Sequence, residues 1–195
     1  LIVSIGEWVL KTACQQNKSW QNAGYQPICV SINLSMRQFL QPNLAGKIGN
    51  ILDDTGLEAC YVDLEITESM TLDKEITFDQ LKRLKELGVC ISIDDFGTGY
   101  SSLHYLKNMP IDRLKIDRSF VQEVMEDSND AAIVSTITSM AHHLKLKVTA
   151  EGVENKDQLQ FLRQQHCHEA QGFLFSKPIR ALEFEKSFLK RLRLE

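Results

Sequence analysis

Paired cysteines are missing from this 195-residue chain. Cys14, Cys29, Cys60, Cys90 and Cys167 are odd in number, scattered, and never spaced C-x-x-C. That excludes a disulfide framework and a zinc ribbon, and leaves free thiols of the cytosolic kind. The run His166-Cys167-His168 has no second cluster to complete a metal site and reads as a coincidence of strand or loop. No apolar run approaches the roughly 18 residues of a membrane span, and no signal-peptide pattern opens the chain. A basic excess is lacking too. Lys and Arg number 22 against 26 Asp and Glu, a formal net charge of -4, which argues against a nucleic-acid polymer as partner. An acidic protein still binds a small phosphate ligand when divalent ions supply the positive charge. There is no linker, low-complexity tract or close repeat, so residues 1–195 read as a single domain. The opening Leu1-Ile2-Val3 lacks Met, and the sequence is expected to be a portion of something longer.

What is present is a strand followed by a helix, repeated. Short β-rich runs lie at 28–33, 61–66, 89–94, 112–117 and 146–151, with a weaker sixth near 168–173. Between them run stretches of helical period. One covers 75–87, with Ile76, Leu81, Leu84 and Leu87 on an apolar stripe; another covers 129–145, with Ile133, Ile137, Met140 and Leu144. Gly88 stands where a helix C-cap belongs. Such alternation predicts parallel βα units in an α/β fold. An open doubly wound sheet is covered on both faces, so its strands read as continuous apolar runs. Here Val30 and Ile32, Leu64 and Ile66, Ile91 and Ile93, Leu114 and Ile116, and Val148 and Ala150 form one face. Ser31 and Asn33, Asp63 and Glu65, Ser92 and Asp94, Lys115 and Asp117, and Thr149 and Glu151 form the other. A polar inner face favours a (β/α)₈ barrel. Such a barrel closes with eight strands, so two are expected to precede Leu1.

The polar residues fall at strand ends in one phase. Asn33, Glu65, Asp94, Asp117, Glu151 and Gln171 lie at or near the C-terminal ends of successive strands, which in a barrel gather at one mouth. Converging carboxylates repel one another, and hard divalent cations relieve that cost. An oxygen-rich set suits magnesium, manganese or calcium rather than zinc. The adjacent Asp94 and Asp95 can flank two such ions, an arrangement suited to phosphoester hydrolysis. Lys115 shares the inward face, either in a salt bridge or orienting a water or phosphate oxygen. Asp95-Phe96-Gly97 spells the kinase magnesium motif, but no H-R-D-x-x-x-x-N precedes it, and Gly97-x-Gly99 lacks the G-K-[ST] of a P-loop.

The stretches IGEWVL, SINLSMRQF, LEITES, SIDDFGTGYSSLHYLK, LKIDRSFV, TAEGVE and QGFLFSKP occur in order along nearly the whole chain and resemble an EAL domain. The resemblance implies a TIM-like (β/α)₈ barrel that hydrolyses cyclic di-GMP to linear pGpG with Mg2+ or Mn2+, two ions in the complete domain. By motif it implies a metal site at Asn33, Glu65, Asp94, Asp95, Asp117 and Glu151. Lys115 resembles the catalytic lysine beside the nucleophilic water, with Glu151 also at the reaction centre. Glu68 resembles the residue that holds the DDFGTGYSS loop, which in the family links the metal site to a dimer interface, so a homodimer is expected. Glu154 and Gln171 match further substrate-binding or supporting positions. Arg37 is left outside the site, because a surface arginine reads equally well there.

One departure stands out. The glutamate of the E-A-L signature, a metal ligand that lies upstream of IGEWVL in this family, is not in the sequence. The 195 residues alone are therefore expected to be unstable and nearly inactive, and the parent protein active. The alternative is a degenerate EAL module that binds cyclic di-GMP without cutting it or serves as a dimerising signalling unit. A sensor or diguanylate-cyclase domain ahead of the barrel fits the family, as does a bacterial cytoplasmic location, with any membrane anchor in other segments of the parent.

Overall fold

The computed structural model describes residues 1–71, 74–99 and 103–192, without the side chains of 74–76 and 191–192. Tyr100, Ser101 and Ser102 of the glycine-rich loop, and the side chain of Ile76, lie outside the described residues.

Strands and helices alternate as the periodicity predicts. The strands are β1 (Val30–Asn33), β2 (Val62–Thr67), β3 (Cys90–Phe96), β4 (Arg113–Ile116), β5 (Lys147–Ala150) and β6 (Glu169–Ala170). The helices are α1 (Ile2–Asn22), α2 (Met36–Phe39), α3 (Leu44–Thr55), α4 (Lys74–Glu86), α5 (Leu103–Leu106), α6 (Arg118–Gln122), α7 (Ser128–His143), α8 (Lys156–Gln164) and α9 (Ala181–Ser187). Strand order follows the sequence from β1 to β6, and the β1–β2, β3–β4, β4–β5 and β5–β6 pairs are parallel. An order without reversal belongs to a singly wound, barrel-type α/β fold; a doubly wound sheet would reverse at a switch point. The expected sixth strand, 168–173, shortens to two residues, because Phe173–Phe175 turn away from the ladder. Among the described residues no helix is long and apolar enough to cross a membrane.

The chain divides into two compact units. The first comprises Leu1–Glu65, Asp79–Cys90 and Pro178–Glu195. Here α1 buries Leu10, Cys14 and Asn17, spaced to share one face. Parallel pairing sets Asn33 beside Glu65, and the Leu34 amide continues the ladder to the Glu65 carbonyl at 2.8 Å. Ser35 opens α2 with a capping box closed by Gln38, satisfying backbone donors that a helix start leaves free. Leu81 and Leu84 are fully buried on the predicted stripe of α4. Gly88, at φ 90°, takes the left-handed C-terminal position that side chains resist.

The second unit, Ile66–Phe78 and Ile91–Lys177, carries most of the candidate site. Ile91, Ile93, Leu114, Ile116, Val148 and Ala150 are fully buried, as alternation predicts for the apolar strand face. The face of α7 differs from the expected stripe. Val134, Ile137, Thr138 and Ala141 are buried, while Ile133 is 36% exposed and Met140 and Leu144 are half-buried. Thr138 and Ala141, rather than Met140 and Leu144, join Val134 and Ile137 on the inward face. In the first turn of α8, Gln158 is buried. Its Oε1 accepts the Glu154 and Asn155 amides at 2.8 and 3.1 Å, and its Nε2 donates to the Gln122 carbonyl. That bracing fixes the segment after Glu151.

The run His166-Cys167-His168 leads into β6. The His168 Nδ1 accepts the Val148 amide at 3.1 Å, and the Cys167 thiol donates to the Val148 and Glu169 carbonyls. These side chains extend the β5 ladder past the short β6.

Candidate carboxylate–lysine site

Strict alternation sends the adjacent Asp94 and Asp95 to opposite faces of a strand. The backbone prevents this. Ile93 pairs with Leu114, and the next pair is Phe96 with Ile116, so two residues of β3 stand opposite one of β4. The extra residue is a β-bulge, which re-aims side chains beside it. Asp95 sits at φ 54°, a left-handed conformation that Asp tolerates better than most residues. Asp94 and Asp95 consequently turn toward Glu151, the first residue after β5. One carboxylate oxygen from each lies within 4.8 Å of the others.

Lys115, on β4 opposite the bulge, is buried at 4% exposure. Its ammonium lies 2.6 Å from Glu151 Oε1 and 3.0 Å from Asp94 Oδ1. The second contact is an ion pair by distance only. Its angles make no hydrogen bond, so the buried Asp94 Oδ1 has none among the described residues. A carboxylate oxygen that meets Lys115 by charge alone, beside two more carboxylates, belongs to a donor set that suits a hard cation. Burial pushes the Asp95 carboxyl above its ordinary range. The charges of Asp94 and Asp117 add to the shift, and Lys115 opposes it. Nearby positive charge would relieve that repulsion.

Asp117 follows β4 and caps α6. Its Oδ1 accepts the Ser119 amide at 2.9 Å and the Ser119 hydroxyl. Burial works to raise its pKa, but the Ser119 bonds, the Asp95 carboxyl and the Arg118 amide outweigh it and hold the group below the usual carboxylate range. Asp117 therefore meets Asp95 at the rim of the cluster while one of its oxygens is engaged in capping.

Glu68, in the turn after β2, is buried at 4% exposure, and its Oε2 accepts the amides of Gly97 and Gly99 at 3.0 and 3.1 Å. These two bonds tie Glu68 to the first residues after β3. Gln171 continues β6 through backbone bonds, its amide to the Ala150 carbonyl and its carbonyl to the Val153 amide. The side chains of Gln171 and Glu154 are exposed. Gly172 must be glycine, since a Cβ there would lie 2.1 Å from the Val153 oxygen. In the first unit Asn33 is exposed and its strand neighbour Glu65 is buried.

A sequentially ordered α/β sheet with carboxylates and a buried lysine at the C-terminal ends of its strands defines a barrel-type protein suited to a divalent cation. The model of the EAL domain matches residues 1–178, and the chain belongs to the EAL domain family. It is 42% identical over its whole length to the cyclic di-GMP phosphodiesterase NbdA of Pseudomonas aeruginosa. Over 182 residues, 93% of the chain, it is 47% identical to the bifunctional diguanylate cyclase/cyclic di-GMP phosphodiesterase MucR of the same organism. The chain spans about a quarter of the length of these relatives, 25% and 27%. A solved structure of the PaMucR phosphodiesterase in complex with c-di-GMP matches with a TM-score of 0.91 at 46% identity, covering 94% of this chain and 75% of that one.

Proposed function

We propose that the protein containing this chain hydrolyses cyclic di-GMP to linear pGpG with Mg2+ or Mn2+. The observation that carries the reading is the β3 bulge, which brings Asp94, Asp95 and Glu151 together, with the Lys115 ammonium against Asp94 and Glu151. Asp94, Asp95 and Glu151 would hold the metal, Asp117 stands at the rim, and the family pattern adds Asn33 and Glu65. Bound divalent ions supply Lewis acidity and a water of lowered pKa.

The chain's own groups have separate tasks. The Lys115 ammonium is held by two carboxylates, so it presents a fixed charge that polarises the attacking water or a non-bridging phosphate oxygen. Glu151 orients that ammonium and accepts hydrogen bonds from the water. Glu68 holds the loop after β3 through Gly97 and Gly99, which keeps Asp95 in its bulged conformation. The same loop is the proposed link to a homodimer partner. Gln171 and Glu154 flank the bound substrate, and the site lies in the bacterial cytoplasm, where the dinucleotide acts as a messenger.

The test uses the full-length protein with cyclic di-GMP and Mg2+ or Mn2+, with products separated by chromatography. Wild type is expected to yield pGpG, and Asp94→Asn and Glu151→Gln to fall to background. Wild type without product, or both variants at the wild-type rate, refutes the reading.

A further inference from the structure

A cyclic dinucleotide carries two phosphodiester groups, and only one is cleaved at a time. Among the described residues, the cluster of Asp94, Asp95, Asp117 and Glu151 meets one buried cation, Lys115, already engaged by two carboxylates. Divalent ions balance charge at the reacting phosphate. A second phosphate brought to this acidic rim would need a cation of its own.

Arg118 has the position and the chemistry. It follows Asp117 directly as the first residue of α6. It is exposed and makes no ion pair among the described residues. Its stem is fixed against the residue after Glu151, since a Cβ on Gly152 would lie 2.6 Å from the Arg118 Cβ and 3.2 Å from its Cα. Gly152 also sits at φ 74°, so the tight approach and the backbone both require glycine. This contact ties the base of Arg118 to the segment that carries Glu151. A guanidinium offers a planar fork that takes two phosphate oxygens at once, with a charge that does not titrate away.

We propose that Arg118 binds the phosphodiester of cyclic di-GMP that is not being cleaved, and so selects a cyclic dinucleotide over single-diester substrates. The assignment rests on the substrate proposed above. Arg118→Ala keeps the Cβ that packs on Gly152, so the packing survives while the charge is lost.

Two measurements on the full-length protein test this. The first is calorimetric binding of cyclic di-GMP in Ca2+, a hard ion that fits the same oxygens. Losing a charged hydrogen-bonding group should raise Kd about 10- to 100-fold in Arg118→Ala, with partial recovery in Arg118→Lys. The second is the ratio of kcat/KM for cyclic di-GMP to that for bis(p-nitrophenyl) phosphate, a single diester, which should fall by a similar factor. A Kd and a ratio within twofold of wild type in Arg118→Ala overturn the assignment. Wild type that binds through Arg118 without forming pGpG sinks the hydrolytic reading and supports the Arg118 contact.

Discussion

Lys115→Met removes a cation that sits between two carboxylates with side-chain exposures of only 13% and 19%. Methionine fills similar space without the charge, leaving Asp94 and Glu151 facing each other beside Asp95. Breaking a buried pair by deleting one partner costs about 3–5 kcal/mol. For a chain of this size each kcal/mol moves Tm by roughly 2–4 °C, so the metal-free variant should melt about 6–20 °C below wild type. A divalent ion then takes the vacated role. At about 100 times its Kd, a ligand specific to the folded state returns ~2.7 kcal/mol, or roughly 5–11 °C. In wild type the ion shares its ligands with Lys115, so its stabilising effect should be smaller. The assay is thermal unfolding followed by near-ultraviolet circular dichroism, in EDTA and in Mn2+, for both proteins. A variant within about 2 °C of wild type in EDTA, or one whose loss Mn2+ does not reduce, refutes the arrangement of charges described above.

Three further outcomes follow from local geometry. Glu68→Gln should weaken the two amide bonds to Gly97 and Gly99 by about 1–3 kcal/mol in total, read as faster hydrogen exchange at those amides; unaltered exchange would show that the carboxylate does not hold the loop. Gly172→Ala drives a Cβ into the Val153 backbone and should cost ~2–3 kcal/mol, lowering Tm by roughly 4–12 °C, whereas an unchanged Tm would mean the segment shifts freely. Burial, helped by the charges of His142, Lys147 and Arg113 and opposed by Glu169, holds His168 below its ordinary pKa of 6.5. Folding therefore favours neutral His168, a contribution complete above pH 6.5 and lost as the pH falls through the folded pKa. His168→Asn offers an oxygen to the Val148 amide without titrating, so its Tm should fall less than that of wild type between pH 7.5 and 5.5. Equal slopes would remove His168 from the account.

Most of the strand-end site was legible because period-two alternation is a strong signal. Lys115, Glu65 and Ser92 lie on the polar phase, and all three are buried inside a face that ordinary sheet packing would make apolar. Asp117 and Glu151 continue that phase just beyond β4 and β5. Alternation alone does not place Asp95 beside Asp94. Asp95 falls on the apolar phase of Ile91 and Ile93, and the buried Phe96 falls on the polar one. Two successive residues out of phase are the mark of an inserted residue, so the bulge had a signal that simple alternation passes over. The face of α7 was misread for another reason. Apolar size alone set the expected stripe, whereas the polar Thr138 and the small Ala141 share the inward face with Val134 and Ile137. The grip of Glu68 on Gly97 and Gly99 spans about thirty residues, and no local pattern predicts a bond of that reach. Its place came from the family motif alone.

The bulge also bears on whether the cluster is structural or functional. A structural polar cluster ought to minimise repulsion, with each carboxylate paired and the backbone relaxed. Here the opposite holds. A non-glycine residue is kept at φ 54°, and the result brings Asp95 toward Asp94 and Asp117, raising its pKa through their charges as well as through burial. Without the extra residue, alternation would direct Asp95 to the helix-facing side, away from Lys115 and Glu151. A left-handed Asp that increases repulsion brings the cluster no stability by itself. A divalent cation among the three carboxylates would relieve that repulsion, so the bulged backbone favours the proposed metal site independently of the family motif.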